Sequence, residues 1–303
     1  MTARTILEPG QIEPPAGEIP FIKLPERNSI FKERAARLRT LAQNHSMTDF
    51  LSFMAKLSEA QQQAMADFPA VPLPDGAHLT TCRQHGMPPL AAQNWQRDPA
   101  WRSALRQILA AVRGSATPST QAAIERRLQS DSVALERQAD ALLAGEFAAL
   151  DLATAPFIAA ALQVYWLHMT TRLGEKAFGR NDIPNLCPVC ASPPVASVVK
   201  IGGEQGLRYL HCSLCSTEWH MVRIKCSNCE STKGLAYYNI ENSTGIVKAE
   251  ACSECGSYLK IMHMDKDPFV DPVADDLATL ALDILMDETG IMRSGPNLFL
   301  ISA

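Results

Sequence analysis

The sequence lacks the motifs that identify the common enzyme classes. It contains no glycine-rich phosphate loop, and no Ser-His-Asp set or pair of carboxylates stands out as catalytic machinery. Basic residues are not in excess, because 28 lysines and arginines face 32 aspartates and glutamates, which gives a net charge of −4. A polyanionic partner is therefore not expected for the chain as a whole.

The first residues also lack an apolar run as long as a signal peptide. Residues 1–28 contain five prolines and little periodicity, which predicts an extended N-terminal arm. Without a secretory signal, we expect a cytoplasmic protein. The composition, with 47% hydrophobic and 20% charged residues, is typical of a soluble globular protein, and 303 residues are enough for more than one domain.

What the sequence does have is an internal repeat of cysteine pairs. Eight of its nine cysteines form four Cys-x-x-Cys pairs, with 21 residues between the first two pairs and 22 between the last two. Two thiolates held this close can bind one metal ion, and four complete a tetrahedral shell. We therefore predict two successive sites, the first from Cys187, Cys190, Cys212 and Cys215, and the second from Cys226, Cys229, Cys252 and Cys255.

Each unit is predicted to fold as a knuckle, a hairpin, a second knuckle and a third strand, as in rubredoxin-like or zinc-ribbon domains. The boundaries of the two ribbons are expected at 187–225 and 226–266. The predicted strands cover residues 195–201, 207–210 and 218–224 in the first unit, and 235–240, 246–249 and 258–262 in the second. Residues 202–206 and 242–245 are expected to be the hairpin turns.

Other uses of these cysteines fit less well. Disulfides require an oxidising compartment, and a thioredoxin-like redox motif needs one pair at the start of a helix. Interleaved pairing of Cys187/Cys190 with Cys226/Cys229 remains open, although sequential pairing closes shorter loops. Three nearby histidines could also substitute as ligands, namely His211, His220 and His263.

Four thiolates leave no open position for water or substrate, whereas a catalytic zinc site keeps one. We therefore expect structural or electron-transferring sites and no enzyme activity. Iron and zinc both accept tetrahedral thiolates, so the metal stays open.

Residues 29–180 are predicted to form an all-α domain, and the four predicted helix starts lie at Ser29, Ser46-x-x-Asp49, Asp98-Pro99 and Thr117-Pro118. Another helix is expected at 132–143, closing at Gly145. Residues 69–98 read as a long connection that contains the ninth cysteine, Cys82, which is expected to be a buried thiol. Residues 152–171 carry no charged side chain. A membrane span is the alternative there, but Pro156, Gln163 and His168 favour a buried central helix and no stable membrane insertion.

The C-terminal part, 271–303, is predicted to be one helix and a docked apolar tail. Asp271-Pro272 is expected to cap the helix, whose apolar stripe would run from Val273 to Leu285. Four aspartates would lie on the opposite face: Asp275, Asp276, Asp283 and Asp287. The tail, 294–301, would pack back on the body.

The ribbons themselves carry no net charge between Cys187 and Asp265, where seven basic residues face seven acidic ones. A nucleic-acid-binding ribbon is therefore disfavoured. The polar and aromatic cluster Glu218-Trp219-His220, with Arg223, is the candidate for partner binding. The alternative is that Trp219 packs under the ribbon and Glu218 pairs locally with Arg223.

The run Arg208-Tyr-Leu-His-Cys-Ser-Leu-Cys-Ser-Thr-Glu-Trp-His-Met-Val-Arg-Ile-Lys-Cys-Ser-Asn-Cys229 resembles the formate dehydrogenase accessory protein family, FdhE. Cys187-Pro-Val-Cys190, Cys252-Ser-Glu-Cys255-Gly and Gly295-Pro-Asn-Leu fit the same family. The resemblance implies a helical N-terminal region followed by tandem rubredoxin-like ribbons, in which iron is expected. It implies a cytoplasmic assembly factor that binds the catalytic subunit of respiratory formate dehydrogenase. A rubredoxin-like electron carrier acting in maturation of that client is the alternative.

Overall fold

The computed structural model describes residues 19–241 and 243–300. Within these residues the chain forms a helical region, an eight-stranded mixed sheet and two C-terminal helices. The predictions for residues 1–18, for Asn242 in the second hairpin turn and for the end of the tail at 301–303 lie outside the described residues.

From residue 19 onward, seven α-helices precede the first cysteine pair. They are α1 (Ile30–Ala42), α2 (Thr48–Ala66), α3 (Gly76–Gln84), α4 (Ala100–Arg113), α5 (Pro118–Leu128), α6 (Ser132–Ala144) and α7 (Ala155–Leu173). The Thr117 side chain caps α5 ahead of Pro118, and Gly145 closes α6 with a φ of 75°. Both were predicted from these residues, because proline suits the first helical turn and glycine the left-handed position after the last.

Two predictions in the helical region were wrong. Ser46 does not cap α2, which begins at Thr48 after Met47 and has no side-chain cap. The stretch 69–98 is not only a connection, because it contains the nine-residue α3, whose first turn is capped by Asp75 through the backbone N–H of His78. Prolines on both sides of so short a helix hid its periodicity.

α7 is the central helix of the region. Every residue from Phe157 to Thr170 is buried, and α2 and α4 pack against it. Charged side chains are absent from this stretch because no part of its surface reaches water. The predicted buried helix is thus confirmed, and no described helix is both long and apolar enough to cross a membrane.

The strands are β1 (Ile22–Lys23), β2 (Pro194–Val199), β3 (Arg208–Cys212), β4 (Glu218–His220), β5 (Leu235–Tyr238), β6 (Val247–Cys252), β7 (Ser257–His263) and β8 (Met292–Arg293). Their order is β1-β4-β3-β2-β7-β6-β5, with β8 beside β7. The predicted hairpins are present as β2–β3 and β5–β6, but β4 ends at His220 instead of continuing to Ile224.

The two ribbons share this one sheet. β2 of the first ribbon runs parallel to β7 of the second, with Ser197 opposite Ile261. The strand pairings inside each ribbon are all antiparallel, as hairpins require. The parallel contact places the two cysteine units side by side instead of in line.

The predicted single C-terminal helix is two helices, α8 (Pro272–Ala278) and α9 (Leu280–Asp287), which are separated at Thr279. The predicted apolar stripe was also wrong in part. Ile284 and Leu285 are 57% and 46% exposed, whereas Asp275 and Asp276 are buried.

Buried cations explain this reversal of the aspartates. Lys260 of β7 lies 3.1 Å from the carboxylate of Asp276, and Arg37 of α1 lies 2.6 Å from that of Asp275. A charged group can be buried when an opposite charge and hydrogen bonds replace its water. These pairs hold α8 between the helical region and the sheet.

The apolar interior is divided unequally. One large core contains the helical region, the first ribbon and the docked tail residues Leu298 and Phe299. Gly295 permits this docking, because a Cβ there would collide with the carbonyl oxygen of Pro194. The second ribbon has a small core of its own against α9, formed by Ala249, Ala251, Tyr258, Leu282 and Met286.

Candidate metal centres

All four Cys-x-x-Cys pairs lie on knuckles of the same backbone shape. The residue after the second cysteine is left-handed each time, with φ of 60°, 58°, 59° and 65° at Ala191, Ser216, Glu230 and Gly256. This conformation costs a non-glycine residue about 1–2 kcal/mol. Three of the four knuckles have a non-glycine residue in this conformation, so interactions elsewhere in the ribbon must offset its free-energy cost.

A hydroxyl residue follows two positions after the second cysteine in every knuckle: Ser192, Thr217, Ser231 and Ser257. The first cysteine's N–H donates to the carbonyl of this residue in three knuckles, at 2.8–3.0 Å. The fourth pair, Cys252 and Ser257, faces across β6 and β7. The sequence therefore contains the pattern Cys-x-x-Cys-x-Ser/Thr four times. This pattern indicates the knuckle geometry more fully than the cysteine spacing from which the sites were predicted.

The sulfurs group into the two sequential tetrads that were predicted. In the first, Sγ–Sγ distances are 3.6 Å for Cys187–Cys215, 3.4 Å for Cys190–Cys212 and 3.6 Å for Cys190–Cys215. In the second, the Cys226–Cys255 and Cys229–Cys252 distances are both 3.8 Å. The interleaved alternative is not what the structure contains.

These distances fit metal coordination. A tetrahedron with metal–sulfur bonds of about 2.3 Å has edges of about 3.8 Å, whereas a disulfide bond is about 2.05 Å long. No cysteine is bonded to another, and no histidine, aspartate or glutamate among the described residues joins either tetrad. Two four-cysteine groups are therefore present that could each bind one metal ion without an open coordination position.

Backbone and side-chain donors surround the sulfurs. The N–H groups of Leu214 and Cys215 point to the Cys212 sulfur at 3.4 Å, and that of Asn228 points to the Cys226 sulfur at 3.3 Å. Such donors stabilise a thiolate relative to a thiol. They also hold the sulfurs in position before a metal arrives.

The first tetrad is enclosed by the helical region. All four of its cysteines have 0% exposure. Gln163 of α7 donates to the carbonyl of Ser213 at 2.9 Å, and the N–H of Ala92 donates to the carbonyl of Cys190 at 2.9 Å. This centre is consequently part of the main core, where it joins the helices to the sheet.

The second tetrad reaches the surface. Cys226 and Cys252 are buried, but Cys255 is half-buried and Cys229 is exposed. A small core against α9 supports this ribbon, and Leu259 and Met262 of β7 join the main core. The two centres therefore share one sequence pattern and have different access to solvent.

The thiols differ in acidity accordingly. In the first tetrad, burial raises the pKa of Cys187 and of Cys212. Burial also opposes ionisation of Cys215, but hydrogen bonds from its three partners and Thr217 lower its pKa well below the usual value. In the second, burial raises the pKa of Cys226 to about 12, whereas hydrogen bonds lower that of Cys255 to about 6 against the effect of burial. Metal binding would displace the remaining protons.

The structure separates the four candidate partner-binding residues. Trp219 is buried at 1% exposure and donates from Nε1 to the carbonyl of Pro184 at 2.9 Å. Glu218 pairs with Lys200 at 2.7 Å and not with Arg223, so the local pair considered above is absent. His220 is half-buried and packs edge-on against Tyr209, and Arg223 is exposed.

The remaining sulfur and histidine candidates have structural surroundings. Cys82 is buried, its pKa is raised by burial, and its sulfur lies 3.4 Å from Nε2 of His78. His211 is buried on β3, with Nδ1 3.5 Å from the carboxylate of Glu218. His168 is buried on α7 and contacts Arg27.

Comparisons with known proteins cover most of the chain. Sequence models described as "FdhE, N-terminal", "FdhE, central domain" and "FdhE, C-terminal domain" match residues 19–181, 186–223 and 224–300. The chain is 46% identical to the "Protein FdhE homolog" of Edwardsiella ictaluri over 285 residues, which are 94% of this chain and 92% of that protein. It is 42% identical to "Protein FdhE" of Salmonella paratyphi B over 286 residues, again 94% of this chain and 92% of the relative.

A solved structure is similar in fold as well. The crystal structure of the FdhE protein from Pseudomonas aeruginosa matches with a TM-score of 0.86 and 41% sequence identity. The match covers 94% of this chain and 100% of that one.

Proposed function

The chain belongs to the FdhE family, and on this premise we propose that it is a cytoplasmic accessory protein for the assembly of respiratory formate dehydrogenase. It binds the catalytic subunit of that enzyme during maturation and catalyses no reaction itself. Two metal ions, iron or zinc, occupy the two cysteine tetrads and stabilise the ribbons that the partner contacts.

The completeness of both tetrads is the observation that carries this proposal. Each group contains four sulfurs within 4.8 Å of one another and no other ligand type. A metal saturated by four thiolates has no position for a substrate, so its contribution is to the fold and the binding surface. In small metal domains, the free energy of metal binding is also free energy of folding.

We assign the partner contact to the segment 222–224, which links the two ribbons. Val222 and Ile224 are 48% and 68% exposed, and the exposed Arg223 lies between them. Adjacent exposed apolar side chains with an arginine are typical of protein-binding surfaces. Of the four residues first considered, Arg223 retains a direct role here, and Trp219 and Glu218 support the segment from within the ribbon.

Co-purification of the full chain with the catalytic subunit tests this contact. Ile224→Glu is expected to weaken retention of the subunit by about tenfold or more, the range of a central interface residue. Ile284→Glu is the matched control, because Ile284 is a 57% exposed isoleucine on α9. Equal retention by both variants, or equal loss, would contradict the assignment.

Metal analysis of protein purified without air tests the role of the tetrads. Two metals per chain are expected. A red colour on oxidation would identify ferric thiolate, whereas a colourless protein with two zinc ions would support a purely structural role. A folded protein without metal would contradict the proposal.

One observation favours a second candidate function, that of an electron carrier. Cys229 exposes one side of the second tetrad, and iron held by four cysteines can exchange one electron. A redox titration with the catalytic subunit present distinguishes the two functions. If Cys229→Ser or Cys255→Ser, at the exposed tetrad, leaves subunit binding unchanged but stops electron transfer, the carrier function is supported.

A further inference from the structure

A pocket of about 580 Å³ opens beside the last turns of α7 and contains none of the cysteines. Its walls come from residues 24–27, from Phe68 and Ala70 after α2, and from His168, Thr171 and Arg172 of α7. This volume is within the range of about 300–1,000 Å³ typical of pockets for small molecules. The proposed assembly function gives it no role.

Arg27 is held rigidly in the wall of this pocket. One of its terminal nitrogens lies 2.7 Å from Nδ1 of His168, and the other donates to the carbonyl of Met65 at 2.8 Å. A guanidinium has five N–H donors, so these two contacts leave about three for a ligand. The side chain is therefore preorganised and incompletely satisfied.

His168 supports this arrangement as a neutral acceptor. Burial, together with the charges of Arg27 and Arg172, lowers the pKa of His168 to about 4. The ring is consequently uncharged near neutrality, and its Nδ1 can accept from the guanidinium. A protonated ring would add a third positive charge to the same wall.

The two arginines of the pocket are not balanced by carboxylates. Within the described part of the chain, neither Arg27 nor Arg172 has a carboxylate within 4 Å, although the exposed Glu26 also lines the pocket. Burial and the charge of Arg172 both lower the pKa of Arg27, which means that the two charges repel each other. An anion between them would relieve this repulsion.

We propose that this pocket is an anion-binding site that accepts a carboxylate or a phosphate group. Arg27 provides the fixed donors, and Arg172 closes on the bound group from the more exposed side. The group comes either from a free oxyanion or from the C-terminal carboxylate of a polypeptide. A purely structural alternative is that Arg27 anchors the N-terminal segment and Arg172 complements the C-terminal end of the α7 dipole.

Calorimetric titration of the full chain at constant ionic strength tests the site with three probes. These are inorganic phosphate, N-acetyl-trialanine with a free carboxylate, and the amide of the same peptide. Saturable one-to-one binding of phosphate or of the peptide acid is expected, and the amide should bind about tenfold more weakly than the acid or not at all. Phosphate binding alone identifies a free oxyanion as the source, and binding of the peptide acid identifies a polypeptide terminus.

Arg172→Gln is the decisive variant, because the Arg172 side chain is exposed and makes no hydrogen bond within the described residues, so its replacement should not disturb the fold. It should weaken binding of the anion by about tenfold or more. Arg106→Gln, which removes an exposed arginine of α4, is the control for net charge and should change the affinity less than about twofold. The proposal would be overturned if neither phosphate nor the peptide acid bound saturably, if acid and amide both bound with equal affinity, or if the two variants lost equal affinity.

Discussion

A chelator is expected to remove the two metals at very different rates. At the second tetrad, Cys229 is exposed and Cys255 half-buried, so a competing ligand can approach the metal in the native protein. At the first tetrad, every cysteine has 0% exposure. Its metal can leave only after the helices separate from the ribbon.

The expected ratio of the two release rates follows from the free energy needed to open the structure around the first tetrad. Release from the first tetrad breaks the hydrogen bonds of Gln163 with Ser213 and of Ala92 with Cys190, and exposes part of the main core. Openings that expose a core approach the free energy of global unfolding, about 5–15 kcal/mol. Even 5 kcal/mol reduces the open population by more than about a thousandfold, because each 1.4 kcal/mol is a factor of ten. The second tetrad has no comparable barrier.

A coloured chelator such as 4-(2-pyridylazo)resorcinol, combined with native mass spectrometry, follows the release. We expect two phases of one metal each, separated by about a thousandfold or more in rate. Cys229→Ser should abolish only the fast phase, and Cys190→Ser should abolish the slow one. Release of both metals in a single phase would refute the reasoning, as would loss of the slow phase in Cys229→Ser.

Two further predictions concern buried charges. Arg208 and Glu250 pair at 2.8 Å between the ribbons with side-chain exposures of 0% and 2%, so Arg208→Met should lower the unfolding free energy by about 3–5 kcal/mol in urea titrations. Replacing both Arg208 and Glu250 by methionine should restore much of the lost unfolding free energy, because no buried charge is then left unpaired. If the double variant is as unstable as Arg208→Met, the loss does not come from an unpaired Glu250. The pKa of His168 is lowered to about 4 against about 6.5 when unfolded, so the unfolded state binds more protons as the pH falls below 6.5. Lowering the pH from 7 to 5 should thus reduce the free energy of unfolding by about 2 kcal/mol. The His168→Gln variant should lack this pH dependence, and an equal pH dependence in both proteins would exclude His168 as its origin.

Local signals were sufficient for much of the fold. The cysteine spacing predicted both tetrads and both hairpins, because a knuckle and a short hairpin are decided within a few residues. Thr117-Pro118 and Gly145 gave the ends of two helices for the same reason. The uncharged stretch that became α7 indicated a helix buried on every side.

Long-range pairing had no such signal. The parallel contact of β2 with β7 joins residues 197 and 261, and the sequence of neither strand indicates which strand it pairs with. The C-terminal aspartates were assigned to a solvated face because charged residues are usually exposed, but Lys260 and Arg37 approach from distant parts of the chain. The sheet and α8 are therefore defined by contacts that only the folded chain brings together.

The same limit applies to the cysteine tetrads, because equal motifs acquire unequal surroundings in the folded chain. All four knuckles have the pattern Cys-x-x-Cys-x-Ser/Thr, yet Gln163 from α7 covers Ser213 in the first tetrad, whereas Cys229 in the second tetrad is exposed. A centre enclosed by the core can change its metal only together with the fold, so it is suited to permanent support of the helical region and the sheet. A centre at the surface can respond to ligands or electrons without unfolding the rest. A partner bound at 222–224, which leads directly into Cys226, would thus meet the responsive centre and leave the structural one undisturbed.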